Sequence, residues 1–314
     1  MDSYASQLDA LARKGNLRKL PEMEPQGLYL VRDGQEMLNL SSNDYLGLAD
    51  NVALKSEFMQ TLDPLECRFS STSSRLLTGN YPVYTRLEER LAQLYGAESA
   101  LVFNSGYQAK SRLFVVTESI FSMDGDESDL PRLVALKHRY PNLCLYLDEA
   151  HAFGVRGLHG LGCAEEHGVI GDIDFLVGTF GKAAASVGAF VICSEEMKQY
   201  LVNTMRTLIF TTALPPINLE WTLFIVNKIC DMTERREHLA RIGRRVREVL
   251  NPLNGGILSS SHIIPYVLGE SERAVDVALR LRREGTRRVL PAAGASAHGS
   301  RGHVAPAHFT HRRV

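Results

Sequence analysis

The sequence lacks several features that would each have committed it to a class. It has no uninterrupted apolar run long enough to cross a bilayer, so no membrane span is expected. Its five cysteines, Cys67, Cys144, Cys163, Cys193 and Cys230, fall singly without a CxxC pair. That excludes a disulfide scaffold and predicts a reducing, cytoplasmic setting. Charge of one sign is missing too: 35 basic residues face 36 acidic ones, a net charge of −1. There is no basic surplus for nucleic acid or an anionic membrane, and a small-molecule partner fits better. The opening residues MDSYASQLDALARKGNLRKL alternate apolar and charged side chains at helical spacing and hold no signal-peptide core. What is present is ample material for a globular protein: 314 residues, 45% of them hydrophobic.

Five short aliphatic or β-branched runs, Ala100–Phe103, Leu113–Phe121, Leu143–Leu147, Phe175–Val177 and Gly188–Cys193, are bounded by Gly, Asp or Ser, with helix-like stretches between many of them. This alternation predicts an α/β fold with a mainly parallel sheet. From Asn218 to Leu250 the apolar spacing turns helical and predicts one long helix or two.

In such sheets ligands sit beyond the carboxyl ends of the strands. Four of these ends carry chemically loaded residues. NSGYQAK (Asn104–Lys110) could open a helix whose free N–H groups hold a phosphate, or simply be a helix cap. FSMDGD (Phe121–Asp126) reads as a turn. DEAHAFG (Asp148–Gly154) puts a carboxylate and an imidazole three residues apart, and a metal is disfavoured because no further ligands lie nearby. GTFGKA places Lys182 among apolar and small residues; such flanks desolvate an amine and lower its pKa toward the nucleophilic range. An aldehyde-bearing cofactor makes use of such an amine.

Taken in order, SNDYLG (Ser42–Gly47), FNSGYQA, IFSMDGD, DEAH and TFGKA resemble the α-oxoamine synthase family over about Arg18 to Glu284. The resemblance implies pyridoxal 5'-phosphate (PLP) fold type I, aspartate-aminotransferase-like, with a mainly parallel sheet and a smaller C-terminal α+β domain. It also implies an N-terminal segment at 1–48, a PLP-binding domain at 49–217, a small domain at 218–284 and an aberrant tail at 285–314. RLLTGNYPVYTRLEERLA (Arg75–Ala92) is most similar to the branch that joins L-alanine to a pimeloyl thioester, carried by coenzyme A or an acyl carrier protein, with loss of CO₂. Sister branches, such as the one that acetylates glycine, remain open.

By position, Lys182 would hold the cofactor covalently and later move the substrate Cα proton. Asp148 would pair with the ring nitrogen, His151 would contact the ring oxygen, Ser122 would lie near the cofactor, and Thr179, Gly106 and Tyr107 would serve the phosphate. Arg18 and Asn43 would face substrate. In a homodimer, Thr211 or Thr212 would reach the partner's phosphate.

Two departures from the family pattern stand out. After FNSGYQAK the chain runs at once into SRLFVVTESIFSMDGD, where the family has further elements and a ring-stacking histidine. Strands several positions apart cannot be joined by so short a link that also forms a helix, so the sequence predicts a missing internal segment near residue 110 and a damaged phosphate cup. After Glu284 the chain has neither acidic residue nor lysine, although it gathers histidine and arginine. Permitted codons for Ala295–Val314, read one base later, encode RPPTVPAGTSRLRISLTAE, which resembles the family's C-terminal substrate-binding segment. The expectation is a frame slip between Glu284 and Ala295. A non-catalytic remnant of the family is the reading that competes with an enzyme.

Overall fold

The computed structural model describes residues 8–9, 12–13, 17, 22–27, 29–32, 34–103, 113–254, 259–269, 273, 276–277, 280, 288–290, 293–295 and 302–308. The chain gathers into two compact units. One comprises Asn43–Phe121 with Glu127–His238; the other comprises Met1–Ser42, Ser122–Asp126 and Leu239–Val314.

The second of these begins with an antiparallel meander of β1 (Glu24–Gln26), β2 (Tyr29–Arg32) and β3 (Gln35–Asn39). Gly34, at φ +70°, makes the tight turn between the last two.

The unit built on Asn43–Phe121 and Glu127–His238 carries a five-stranded sheet. Its strands are β4 (Ser99–Phe103), β5 (Leu113–Glu118), β6 (Leu143–Asp148), β7 (Phe175–Thr179) and β8 (Ala189–Cys193), in the order β4-β8-β7-β6-β5. All five coincide with the apolar runs of the sequence. β5, β6 and β7 are parallel, and β8 is antiparallel to both β7 and β4. Four of the five strands therefore share one direction, as a mainly parallel sheet requires. Every residue of β4 and β8 is buried, which explains runs such as ALVF and AFVIC that do not alternate with polar residues.

The flanking helices follow local rules. In α1 (Val52–Thr61), the Asn51 side chain accepts the first free N–H, that of Leu54. Helix α2 (Pro82–Tyr95) starts with proline and stops at left-handed Gly96. It buries Val83, Tyr84, Leu87, Leu91 and Tyr95, one stripe at helical spacing. Asp129 caps α3 (Leu130–Arg139) and Ser194 caps α4 (Glu195–Thr204). The helical stretch after residue 216 resolves into two helices, α5 (Pro216–Ile229) and α6 (Thr233–Asn254).

The remaining strands are β9 (Ile263–Gly269), β10 (Arg288–Leu290), β11 (Ala293–Ala295) and β12 (Gly302–His308). β12 lies antiparallel between β11 and β9, while β10 pairs in parallel with β3. Three strands thus occur in a stretch without apolar periodicity, because ladder bonds come from backbone groups and do not need alternating side chains. All five cysteines are free thiols, and among the described residues no helix is long and apolar enough to cross a membrane.

Candidate active site

Because β5, β6 and β7 run the same way, their carboxyl ends meet at one edge of the sheet. Glu118, Asp148 and Thr179 are the last residues of these strands, and the turns that follow bring in Ser119, His151 and Lys182.

The turn bearing Lys182 is held by two sets of contacts. Phe180 and Phe153 each pack on Phe190 of β8, with ring centroids 5.1 Å apart in both pairs. Phe153 lies two residues after His151 and Phe180 two before Lys182, so one aromatic cluster fixes both turns. Helix α5 also holds this turn. Ala185 adopts a left-handed φ of +48°, unusual for a residue with a Cβ. Trp221 Nε1 donates to the Ala185 carbonyl at 3.0 Å, and the Ala185 N–H donates to the Lys182 carbonyl at 2.9 Å. Thr222 Oγ1 donates to Asn218 O, which leaves Ser186 Oγ to donate to Thr222 at 2.7 Å.

From this turn the Lys182 amine reaches His151 Nε2 at 2.8 Å. The opposite ring nitrogen, Nδ1, lies 2.8 Å from the Tyr45 hydroxyl, which donates to Asn43 Oδ1 at 3.0 Å. Tyr45 is fully buried and His151 nearly so. Burial lowers the pKa of Lys182 from its usual value, against the opposing pull of Asp148 and Glu118. Burial likewise raises Asp148, more than the Ala150 N–H and the Lys182 charge lower it. Both partners are thus pushed toward their uncharged forms, and a half-buried neutral amine is a nucleophile.

The neighbouring carboxylate does something else. Glu149 is wholly buried and accepts from Ser119 Oγ, Cys163 N and Ala164 N. Burial pushes its pKa up to about 7 in spite of these donors. Gly162, at φ +115°, passes so close that a Cβ there would stand 2.6 Å from the Glu149 carboxyl carbon.

Of the residues singled out in the sequence, Asn43, Asp148, His151, Thr179 and Lys182 fall in one unit. Thr179 Oγ1 donates to Gly188 O and accepts from Gly181 N, which shapes the approach to Lys182. Thr211 and Thr212 are exposed after the short helix Arg206–Phe210, and Thr212 bridges to Ser74. Ser122 belongs to the other unit. Arg18, Gly106, Tyr107 and the helix expected within Asn104–Lys110 lie outside the described residues. Sequence reasoning passed over Tyr45, Glu149, Ser119 and Trp221. The first two stand inside the quoted motifs SNDYLG and DEAH, yet nothing local names their partners; Tyr45 and His151 are 106 residues apart. A pocket of about 570 Å³ lined by Cys144, Phe175, Ile192 and Met197 lies at the opposite end of the strands from Lys182.

The family model for aminotransferase class I and II matches residues 35–114 and 107–313. The chain belongs to this family. Within it, the relatives found support the α-oxoamine synthase branch. The 8-amino-7-oxononanoate synthase of Haemophilus ducreyi is 43% identical, over 91% of this chain and 90% of that protein. That alignment runs to 349 positions, whereas 91% of this chain is about 286 residues, so roughly 60 positions face no residue here. A serine palmitoyltransferase variant from S. paucimobilis, solved with a bound PLP–myriocin aldimine, superposes with a TM-score of 0.83 at 21% identity, over 98% of this chain and 93% of that one. An 8-amino-7-oxononanoate synthase from Francisella tularensis gives 0.72 at 20% identity, over 87% and 92%. These structures establish the fold as PLP fold type I.

The donor set suits PLP. A desolvated amine matches its aldehyde, a half-buried carboxylate whose charge acts on that amine matches its pyridine nitrogen, and an imidazole hydrogen-bonded to the amine matches its phenolic oxygen.

Proposed function

We propose that the chain is a PLP-dependent acyltransferase that condenses L-alanine with a pimeloyl thioester, with loss of CO₂, to 8-amino-7-oxononanoate, the reaction named for its 43% identical relative. The observation that carries the proposal is Lys182, a half-buried amine 2.8 Å from His151 and under the field of Asp148, at the carboxyl edge of the sheet. Bound there, PLP supplies an electron sink for the substrate carbon that loses its proton. Asp148 would hold the ring nitrogen, His151 the ring oxygen, and Lys182 the aldehyde carbon. The Lys182 amine then takes and returns the Cα proton at Nζ, and the Phe153 and Phe180 rings packed on Phe190 hold its turn. In a homodimer Thr211 and Thr212 would serve the partner subunit's phosphate, a reading that their exposure supports. Five free thiols suit a cytoplasmic setting.

The first experiment is an absorbance spectrum of the purified chain with PLP. A band from lysine-linked cofactor is expected, and its disappearance in Lys182→Ala confirms the site. An unchanged band in the variant defeats the proposal. Assays with L-alanine and with glycine then separate this reaction from its sisters.

One observation favours a second reading, a remnant with weak cofactor binding. β4 and β5 occupy opposite edges of the sheet, four strand spacings or about 19 Å apart. Only nine residues, 104–112, connect Phe103 to Leu113, and a nine-residue helix spans about 13 Å. We place the shortfall of roughly 60 alignment positions at this connection. A phosphate-holding helix would be the part forfeited. Restoring about 60 residues of a relative at this point is expected to tighten PLP binding; equal affinity with and without them removes the second reading.

A further inference from the structure

We propose that Tyr45 is a positioning residue that locks His151 in the Nδ1–H tautomer, leaving the Nε2 lone pair to receive a proton from Lys182. Four side chains form one continuous series, Asn43 Oδ1, Tyr45 hydroxyl, His151 and Lys182 Nζ, joined at 3.0, 2.8 and 2.8 Å. The direction of the hydrogens is fixed from the Asn43 side and is compatible with a charged Lys182. At one end, Asn43 Oδ1 can only accept, so the single Tyr45 proton is committed to it. The Tyr45 oxygen then meets His151 as an acceptor, and Nδ1 must carry the hydrogen. At the other end, Lys182 donates to Nε2 while it carries its extra proton, whereas the neutral amine can donate or accept, so this end permits the tautomer without fixing it. The Tyr45 contact therefore decides the tautomer, and the charged Lys182 fits it.

Burial makes this assignment consequential. Tyr45 is wholly enclosed and His151 is 6% exposed, so water is a poor substitute for either partner. The phenol cannot take over as a base, since burial raises its pKa far above the usual value. Asp148 and Glu118 also face Lys182 electrostatically, but only His151 is hydrogen-bonded to its amine among the pairs described.

The step this permits is a single proton transfer. The Nζ–H bond of the Lys182 ammonium breaks with its electron pair kept on nitrogen, and the Nε2 lone pair forms the new N–H bond. The positive charge passes to His151, whose Nδ1–H remains held by the Tyr45 oxygen. Lys182 is left as the neutral amine that attacks an aldehyde. The inference deepens the proposed role of Lys182 and rests on it, while its test does not require a working enzyme.

The test is a nitrogen-15 spectrum of the cofactor-free full chain carrying labelled histidine, near neutral pH, with His151 assigned by its loss in His151→Gln. The expected signature is a protonated Nδ1 and an unprotonated Nε2. In Tyr45→Phe, which keeps the ring, that preference is expected to give way to a mixture of tautomers, and PLP capture to slow about tenfold, as when the partner orienting a histidine is removed. Asn43→Ala, at an exposed position, is expected to erode the same preference and covers the case in which the Tyr45 variant does not fold. A protonated Nε2 in the wild-type chain, or an unchanged tautomer in both variants, overturns the inference. The tautomer is read before any cofactor is added, so a chain that never captures PLP still decides it.

Discussion

Asp148 and Glu149 are adjacent carboxylates at the end of one strand, and they do opposite work. Asp148 is the last residue of β6 and Glu149 the first beyond it, and the two side chains meet different partners. Asp148 keeps one backbone donor, the Ala150 N–H at 2.8 Å, and spends its charge on Lys182. Glu149 is sealed away, and its oxygens are consumed by Ser119 and the N–H groups of Cys163 and Ala164. Burial raises the pKa of both. What distinguishes the two carboxylates is their partners: the Lys182 amine for Asp148, a hydroxyl and fixed backbone donors for Glu149.

Four substitutions test that contrast, in order of expected effect. Lys182→Ala should abolish covalent PLP capture while leaving the melting temperature nearly unchanged, as seen by absorbance and calorimetry. Asp148→Asn keeps the acceptor for Ala150 but removes the charge. PLP should still be captured through Lys182, with retention weaker by ten- to a hundredfold, the worth of a hydrogen bond to a charged group; equilibrium dialysis measures it. If retention is unaffected, Asp148 is no more than a second Glu149.

Glu149→Gln should reverse the pattern, costing about 2 kcal/mol of stability near pH 5 because an amide N–H₂ would face a backbone N–H. The cost should shrink toward pH 8. The carboxyl has a folded pKa near 7 against 4.5 as its ordinary value, so the wild-type fold favours the protonated form. That preference is fully present below pH 4.5 and fades as pH rises through 7, and the variant lacks it. Denaturant midpoints at pH 5 and 8 decide the point, and a gap that widens with pH would show Glu149 to be ionised throughout.

The smallest effect is expected from Trp221→Phe, which removes the bond to Ala185 O and should cost about 1 kcal/mol. PLP capture should slow modestly as the Lys182 turn loosens. A change in stability with no change in capture rate would separate that turn's rigidity from its chemistry.

Much of the fold was legible in the sequence because strand burial leaves a direct mark. All five apolar runs became strands of one sheet, and His151 and Lys182, just beyond β6 and β7, meet in the candidate site. The mixed direction was not legible: GAFVIC reads the same whether β8 runs parallel or antiparallel, and the outcome depends on its neighbours. The strands within 285–314 were missed for a related reason, since pairing with β3, β9 and one another is carried by backbone groups. In the site, GTFGKA and DEAH announced an amine, a carboxylate and an imidazole. The role of Glu149 went unseen because Ser119, Cys163 and Ala164 lie 14 to 30 residues away.

The sequence by itself determined the chemical inventory: which side chains stand at strand ends, the apolar flanks that desolvate Lys182, and the family to which their order belongs. Those properties are local, written by neighbours along the chain. Only the tertiary structure decided who meets whom. It turned Asp148 toward an amine and Glu149 toward backbone donors, and it brought Tyr45 to the far nitrogen of His151 across 106 residues. Such pairings depend on distance in space, and a chain's spacing does not encode that until it folds.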